Sequence, residues 1–214
     1  MKGSDTEIKA TSFPVSIISK SNYYLHIHFH TRVFLNLTRA WEKAKSLPLD
    51  SFEPDPLLKT TGIAITLASV LESNGNKEEA YNIYKEALWL LQSAYLDLPS
   101  DAPPPEIGTE TLRLLTGPEG MRTAAIAYKL GCMAPKLGKP DTEEEKWLTL
   151  AVTATLTTME KVMQVPGSST SGEEPENLNV MRELRLPAWA SMHDLAAPFE
   201  ALGTFYMTHD RNIA

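Results

Sequence analysis

The stretch TGIAITLASVLESNGNKEEAYNIYKEALWLLQSA, residues 61 to 94, decides the fold of this chain. Apolar residues recur in it at the three- and four-residue spacing of an α-helix, from Ala64 to Leu71 and again from Ala80 to Ala87. Gly75 lies between the two runs and allows the chain to turn. The small side chain of Ala68 lets the two helices approach closely. The stretch therefore predicts an antiparallel helical hairpin.

The same spacing resembles the tetratricopeptide repeat, a helix–turn–helix unit of about 34 residues. With Thr61 as position 1, the repeat's small and large apolar positions 4, 7, 8, 11, 15, 20, 24 and 27 are occupied by Ala64, Leu67, Ala68, Leu71, Gly75, Ala80, Tyr84 and Ala87. The alternative is an ordinary amphipathic helix pair, which one hairpin does not exclude. Further copies along the chain decide between the two.

Copies of the pattern occur on both sides of this hairpin. First-helix positions 4, 7, 8, 11 and 15 recur at Ala127, Leu130, Gly131, Ala134 and Gly138. After Pro140, a second helix is predicted from Trp147, Ala151 and Ala154. A third first helix is predicted from Phe199, Leu202, Gly203 and Tyr206, and an earlier second helix from Phe34, Leu37, Trp41 and Ala44. The repetition favours a solenoid over an isolated helix pair.

We therefore predict an all-α fold, specifically a right-handed solenoid of antiparallel helical hairpins. It forms a single domain, residues 23–214, which is preceded by an irregular segment, residues 1–22. Hairpins are expected at about 23–47, 61–94, 124–160 and 196–214. The last hairpin is incomplete, and a terminal repeat normally carries a polar cap. We therefore expect a fragment, or a truncated product whose continuation adds helices.

Two interruptions rich in proline or in small polar residues separate the hairpins, at residues 97–110 and 165–177. The first is predicted to be an extended connector and the second a polar loop, both on one side of the solenoid. The four tryptophans lie on or beside predicted helices and are expected to pack in the core or between repeats, with interface anchoring as the alternative. They are Trp41, Trp89, Trp147 and Trp189.

Composition excludes several classes of function. The 214 residues are 43% hydrophobic and 22% charged, which suffices for a substantial core. The net charge of -7 and the absence of clustered Lys and Arg argue against nucleic acid as a partner. No stretch approaches the roughly 18 apolar residues that a membrane span needs. The single cysteine, Cys132, excludes an intrachain disulfide and is expected to be a reduced, packed thiol.

The histidines His26, His28 and His30 form the strongest candidate for metal chemistry. In a strand all three imidazoles would share one face and could begin a zinc or copper site, whereas in a helix only the first and third are neighbours. No Cys, Asp or Glu near them supplies an evident further ligand. We expect a helix here, with surface or partly packed histidines and no metal.

Other candidate chemical motifs have simpler structural explanations. Ser191 and His193 have no nucleophile elbow around the serine and no marked orienting carboxylate. The stretch Thr116–Gly120 lacks the Lys-Ser/Thr of a phosphate loop and is predicted to start a helix. The run Glu143–Glu145 is expected in the first turn of a helix, where it favours the dipole. We therefore predict no catalytic residue, no cofactor and no enzyme.

The predicted function is to bind an extended polypeptide in the groove of the solenoid. First-helix positions 2, 5, 6, 9, 12 and 13 line the concave face of such repeats. The groove residues predicted from them are Ile65, Thr66, Ser69, Glu72, Tyr128, Lys129, Cys132, Lys136, Thr204 and Met207. Repeats that dock acidic chaperone tails hold them with a clamp of Lys, Asn and Arg side chains. In this sequence Ile65 and Ser69 occupy the positions of the first Lys and Asn of that clamp. A neutral, partly apolar ligand suits this groove better.

A narrower resemblance rests on Trp41-Glu-Lys-Ala-Lys-Ser-Leu-Pro-Leu-Asp50, on residues 61–68 and 71–80, and on Glu143-Glu-Glu-Lys-Trp-Leu148 and Leu202-Gly-Thr-Phe-Tyr206. These are similar to the repeat region of fungal mitochondrial tetratricopeptide proteins that act as adaptors of the inner-membrane i-AAA protease. The resemblance covers residues 34–214. It implies an adaptor that exposes its repeats to the intermembrane space and presents unfolded clients to the protease.

The chain departs from that family at its N-terminal end. Members carry an N-terminal membrane helix, whereas the first residues of this sequence show neither such a helix nor a recognisable presequence. The alternative to an adaptor is a structural subunit of a stable complex, with no client binding.

Overall fold

A computed structural model describes residues 32–96, 109–164 and 192–209. Seven α-helices lie within these ranges: α1 at 32–46, α2 at Pro56–Ser73, α3 at Lys77–Ser93, α4 at Thr109–Leu114, α5 at Gly117–Met133, α6 at Asp141–Gln164 and α7 at Met192–His209. Short 3-10 turns occur at Leu49–Phe52 and Pro135–Leu137. No strand occurs in these ranges, so the predicted all-α class is confirmed.

The turn between α2 and α3 follows from the sequence Asn74-Gly75-Asn76. Gly75 adopts a left-handed backbone conformation with φ of 85°, which costs a glycine little. The backbone N–H of Asn76 donates to the carbonyl of Leu71 at 2.9 Å and closes the end of α2. Glu78 and Glu79 then occupy the first turn of α3, where the helix dipole favours negative charge.

The interface of α2 with α3 is built from residues that the spacing had marked as apolar. Each helix contributes side chains that are almost fully buried, and small residues alternate with large ones. Those of α2 are Ala64, Leu67, Ala68 and Leu71, and those of α3 are Ala80, Tyr84 and Ala87. Close packing of two such faces stabilises both helices, each of which would be only marginally stable alone in water.

A close approach of α5 and α6 requires glycine on α5. A Cβ added to Gly131 would lie 2.6 Å from Cδ2 of Leu148, so no side chain fits there without displacing the leucine. Near the N-terminal end of α5, a Cβ added to Gly120 would likewise collide with the Thr158 side chain of α6. As predicted, Thr116–Gly120 forms the start of α5, because the Glu119 carboxylate accepts the backbone N–H of Thr116 at 2.8 Å.

Helices of neighbouring hairpins contact one another. α5 packs on α3 and also contacts α2, while α7 packs on α6 and also contacts α5. α4 packs on α6. Hydrogen bonds also join α3 to α6: the Trp147 indole N–H donates to the Tyr81 hydroxyl at 2.7 Å, and that hydroxyl donates to Glu143 at 2.9 Å.

Two of the tryptophans are in the core, as expected. Trp41 and Trp147 are buried, and the Trp41 indole N–H donates to Glu86 of α3 at 3.1 Å. Trp89 is half-buried, and Trp189 lies outside the described residues.

The connector predicted at 97–110 ends earlier than expected, because Thr109 and Glu110 already belong to α4. The remaining connector residues, the segment before Arg32, the three histidines, the loop at 165–177 and Ser191 lie outside the described residues. Among the residues that are described, no helix is both long enough and apolar enough to cross a membrane.

Candidate peptide-binding groove

The predicted groove residues lie on α2, on α5 with the 3-10 turn that follows it, and on α7. α5 contacts both α2 and α7, so it is the middle helix of the three. Two sets of interactions connect groove positions across these helices. One joins α2 to α5, and the other joins α5 to α7.

An ion pair joins α2 to α5 through two of the predicted groove residues. Nζ of Lys129 lies 2.8 Å from one carboxylate oxygen of Glu72 and donates to the other at 3.0 Å. Both side chains are partly exposed, so the pair contributes at most about 1 kcal/mol to stability. Its effect on the groove is electrostatic, because each charge neutralises the other and leaves this part of the surface close to neutral.

Tyr128 is the aromatic residue among the predicted groove residues, and it is half-buried. Burial raises the pKa of its phenol, and a hydrogen bond with Cys132 and the carboxylate of Glu200 on α7 raise this pKa further. The phenol is therefore neutral at physiological pH. Cys132 follows by one helical turn and is a half-buried free thiol. Together they place an aromatic ring and a small, weakly polar side chain on this part of α5.

The smaller groove residues add little hydrogen-bonding capacity. Thr66 and Thr204 are exposed, but each hydroxyl donates at 2.8 Å to the carbonyl four residues earlier in its own helix. Ser69 is exposed, and Ile65 is half-buried against the core. These side chains offer a ligand mostly apolar contact.

Two of the predicted groove residues, Lys136 and Met207, are more exposed than Tyr128. Lys136 is exposed on the 3-10 turn beyond the end of α5, and Met207 on α7 is 65% exposed. An exposed methionine offers a flexible, polarisable side chain that adapts to varied ligands. All ten predicted residues therefore fall on exposed or half-buried parts of these elements, with none in the core.

Arg122 belongs to the same region and was not among the predicted residues. Its Nη1 donates to the Leu58 carbonyl at 3.3 Å and to the Thr61 hydroxyl at 3.5 Å, across the contact of α5 with α2. Burial lowers the pKa of its guanidinium. It precedes Lys129 by seven residues, so both lie on one face of α5. The seven-residue spacing from Lys129 could have indicated that Arg122 shares this face of α5. The repeat pattern did not include it, because Arg122 precedes the first repeat position.

Other chemistry has little support in the described residues. They contain no group of three or more His, Cys, Asp or Glu side chains placed to hold a metal ion. Nε2 of His209 lies 3.5 Å from the Asp141 carboxylate, and its Nδ1 lies 2.8 Å from the Phe205 carbonyl oxygen. The backbone hydrogen bond, followed by the nearby carboxylates, raises the pKa of this histidine. This is an exposed contact between α7 and α6.

Comparisons with protein-family models, with curated proteins and with solved structures gave no match.

Proposed function

We propose that this chain is a non-enzymatic adaptor with a tetratricopeptide-like, right-handed solenoid, whose groove binds extended, largely neutral polypeptide. The observation that carries the proposal is the connection of groove positions across three helices. Glu72 of α2 pairs with Lys129 of α5, and α5 in turn contacts α7, which carries Thr204 and Met207. Contacts of this kind between groove positions of neighbouring helices support a shared surface, as a peptide groove requires.

The packing order supports the solenoid. α3 follows α2 and packs on α5, and α6 follows α5 and packs on α7, so each second helix contacts the next first helix. This is the nearest-neighbour arrangement that stacked repeats use to bury a continuous core.

The chemistry of the groove supports the class of ligand. Its one ion pair is internally neutralised, its threonine hydroxyls bond within their own helices, and its aromatic residue is uncharged. A strongly charged tail would find few free counter-charges here. An extended segment with apolar side chains would find Ile65, Tyr128 and Met207.

The resemblance to fungal mitochondrial proteins supports a narrower proposal. In it, the bound segments are unfolded or misfolded proteins, and the recipient is the i-AAA protease of the inner membrane, on its intermembrane-space side. A purified i-AAA protease that degrades an unfolded client no faster with this chain present would contradict that step.

The client-binding step is tested by replacing Tyr128 with glutamate. The new carboxylate would lie near Glu200 in the centre of the groove, so we expect about ten-fold weaker binding of a fluorescein-labelled, permanently unfolded protein. Fluorescence anisotropy measures the affinity. The matched control is Leu156→Glu, which places the same charge at a 53% exposed leucine of α6, outside the groove helices. Undiminished client binding by Tyr128→Glu would reject the adaptor.

The second candidate is a structural subunit of a stable complex. Large apolar side chains exposed outside the groove positions favour it, including Leu156 on α6 and Phe199 on α7. In that case Leu156→Glu would remove a fixed partner and Tyr128→Glu would not.

A further inference from the structure

One helix face is exposed on α7 although the same repeat positions are buried on α2 and α5. At position 4, Ala64 and Ala127 are 0% exposed, whereas Phe199 is 39% exposed. At position 11, Leu71 is 1% and Ala134 is 0% exposed, whereas Tyr206 is 41% exposed. Large aromatic side chains are thus partly exposed where the other two helices bury small or aliphatic ones.

The glycine at position 8 shows the same contrast. On α5, a Cβ at Gly131 would collide with Leu148 of the covering helix α6. On α7, a Cβ at Gly203 would meet nothing within 4 Å. Leu202 at position 7 is half-buried. We use the name α7 face for the surface formed by Phe199, Leu202, Gly203 and Tyr206. It has one aromatic residue on each side of a glycine with open space above it.

The molecule itself indicates what kind of element covers such a face. α3 covers α2, and α6 covers α5, each with apolar residues spaced i, i+4 and i+7 and with alanine at the last of the three. Those alanines, Ala87 and Ala154, are fully buried. A small residue there lets the covering helix lie close to the small position 8 of its neighbour.

The rim of the α7 face is acidic. The Tyr206 hydroxyl donates to the Glu145 carboxylate of α6 at 2.8 Å, at the edge of this face. The whole chain carries a net charge of -7. A covering helix with Lys or Arg on its flanks would complement this rim, while a second copy of this chain would bring the same negative charge.

We infer that the α7 face docks an amphipathic helix of a partner protein, with apolar residues spaced i, i+4 and i+7, alanine at i+7, and basic flanks. A second copy of this chain fits less well. The helices that carry this spacing, α3 and α6, are already packed on α2 and α5, so the described part of a second copy has none of them free. The inference concerns packing positions, not groove positions, and does not depend on client binding.

The test uses three labelled peptides and the intact chain. The first has the sequence of α3, Lys77–Ser93, in which Ala80, Tyr84 and Ala87 give the required spacing. The second carries lysine in place of its three glutamates, Glu78, Glu79 and Glu86. The third carries leucine in place of both alanines. We expect the second peptide to bind more tightly than the first, and the third to bind at least about ten-fold more weakly than the first, because leucine overpacks the contact.

Two variants of the chain locate the binding site. Gly203→Leu fills the open position of the α7 face, and we expect it to weaken binding of the lysine peptide about ten-fold or more. Leucine is a better helix former than glycine, so this variant should melt no lower than the parent chain. The matched control, Asn82→Leu, adds a leucine at an exposed residue of α3, outside both the α7 face and the predicted groove, and should leave the affinity within about two-fold.

Three results would overturn the inference. The first is that neither the α3 peptide nor its lysine version binds. The second is that Gly203→Leu binds the lysine peptide as well as the parent chain does. The third is that the chain alone forms a dimer by sedimentation and Gly203→Leu makes it monomeric, because the occupant would then be a second copy.

Discussion

Two glycines that the sequence pattern places at the same repeat position, Gly131 and Gly203, have different surroundings in this molecule. Gly131 on α5 is covered by Leu148 of α6, and its lack of a side chain sets how closely the two helices approach. Gly203 on α7 has open space above it, so its backbone freedom only weakens the helix. The same residue type is therefore required for packing at one position and dispensable for folding at the other.

Alanine substitution at these two glycines should change stability in opposite directions. Gly131→Ala places a methyl group against Leu148, and we expect a loss of about 1–3 kcal/mol in the free energy of unfolding, because the leucine must move in a packed interface. Gly203→Ala should add about 0.5–1 kcal/mol, the difference in helix propensity. Urea denaturation followed by circular dichroism measures both. Equal effects at the two positions would contradict the assigned packing.

At the scale of single elements, the start of α5 depends on one carboxylate. Glu119 is buried and accepts a hydrogen bond from the backbone N–H of Thr116 at 2.8 Å. It also accepts one, at 2.8 Å, from the hydroxyl of Tyr95, which lies just after α3. The same hydrogen bond contributes to raising the pKa of Tyr95 to about 12, after burial, which is the larger cause. One side chain thus caps a helix and connects it to its neighbour.

Removal of that carboxylate should destabilise the junction of α3 and α5. Glu119→Ala leaves a backbone N–H and a tyrosine hydroxyl without their acceptor, and we expect a loss of about 1–3 kcal/mol. Tyr95→Phe removes only one of the two hydrogen bonds and should cost less. Thermal and urea unfolding of the two variants give the comparison. If Tyr95→Phe costs as much as Glu119→Ala, the cap is not the main contribution.

Element prediction succeeded where apolar periodicity was strong and failed where it was weak. The spacing from Ala64 to Ala87 predicts two helices, and Gly75 predicts the turn, because both depend on local geometry. α4 has six residues, TETLRL, and follows a proline-rich stretch, so its pattern is too short to predict a helix. It is held by packing on α6, which is distant in sequence.

The candidate site was predictable in part for the same reason. Repeat positions indicate which residues lie outside the core, and all ten predicted residues are exposed or half-buried. They do not indicate which residues meet across helices, because the pairing of Glu72 with Lys129 depends on how α2 and α5 are aligned. Arg122 was missed because it precedes the first repeat position, although its position on α5 brings it to α2.

For the whole molecule, we propose two surfaces with two tasks. The groove on α2, α5 and α7 binds extended polypeptide, and the α7 face docks a partner helix. Since the groove positions and packing positions of α7 lie on different sides of one helix, the two ligands should bind at the same time. An adaptor needs this property, because it must hold a client and a partner together.

The most direct test of the groove is methyl NMR of the intact chain during titration with an unfolded, fluorophore-free client segment. The reporters are the methyl groups of Ile65 on α2 and Met207 on α7, with Ile83 on α3 and Leu156 on α6 as controls outside the groove. We predict that the signals of Ile65 and Met207 shift together and saturate at one client concentration, while Ile83 and Leu156 stay unchanged. Shifts confined to Ile83 or Leu156, or no shifts at any client concentration, would contradict client binding in the groove.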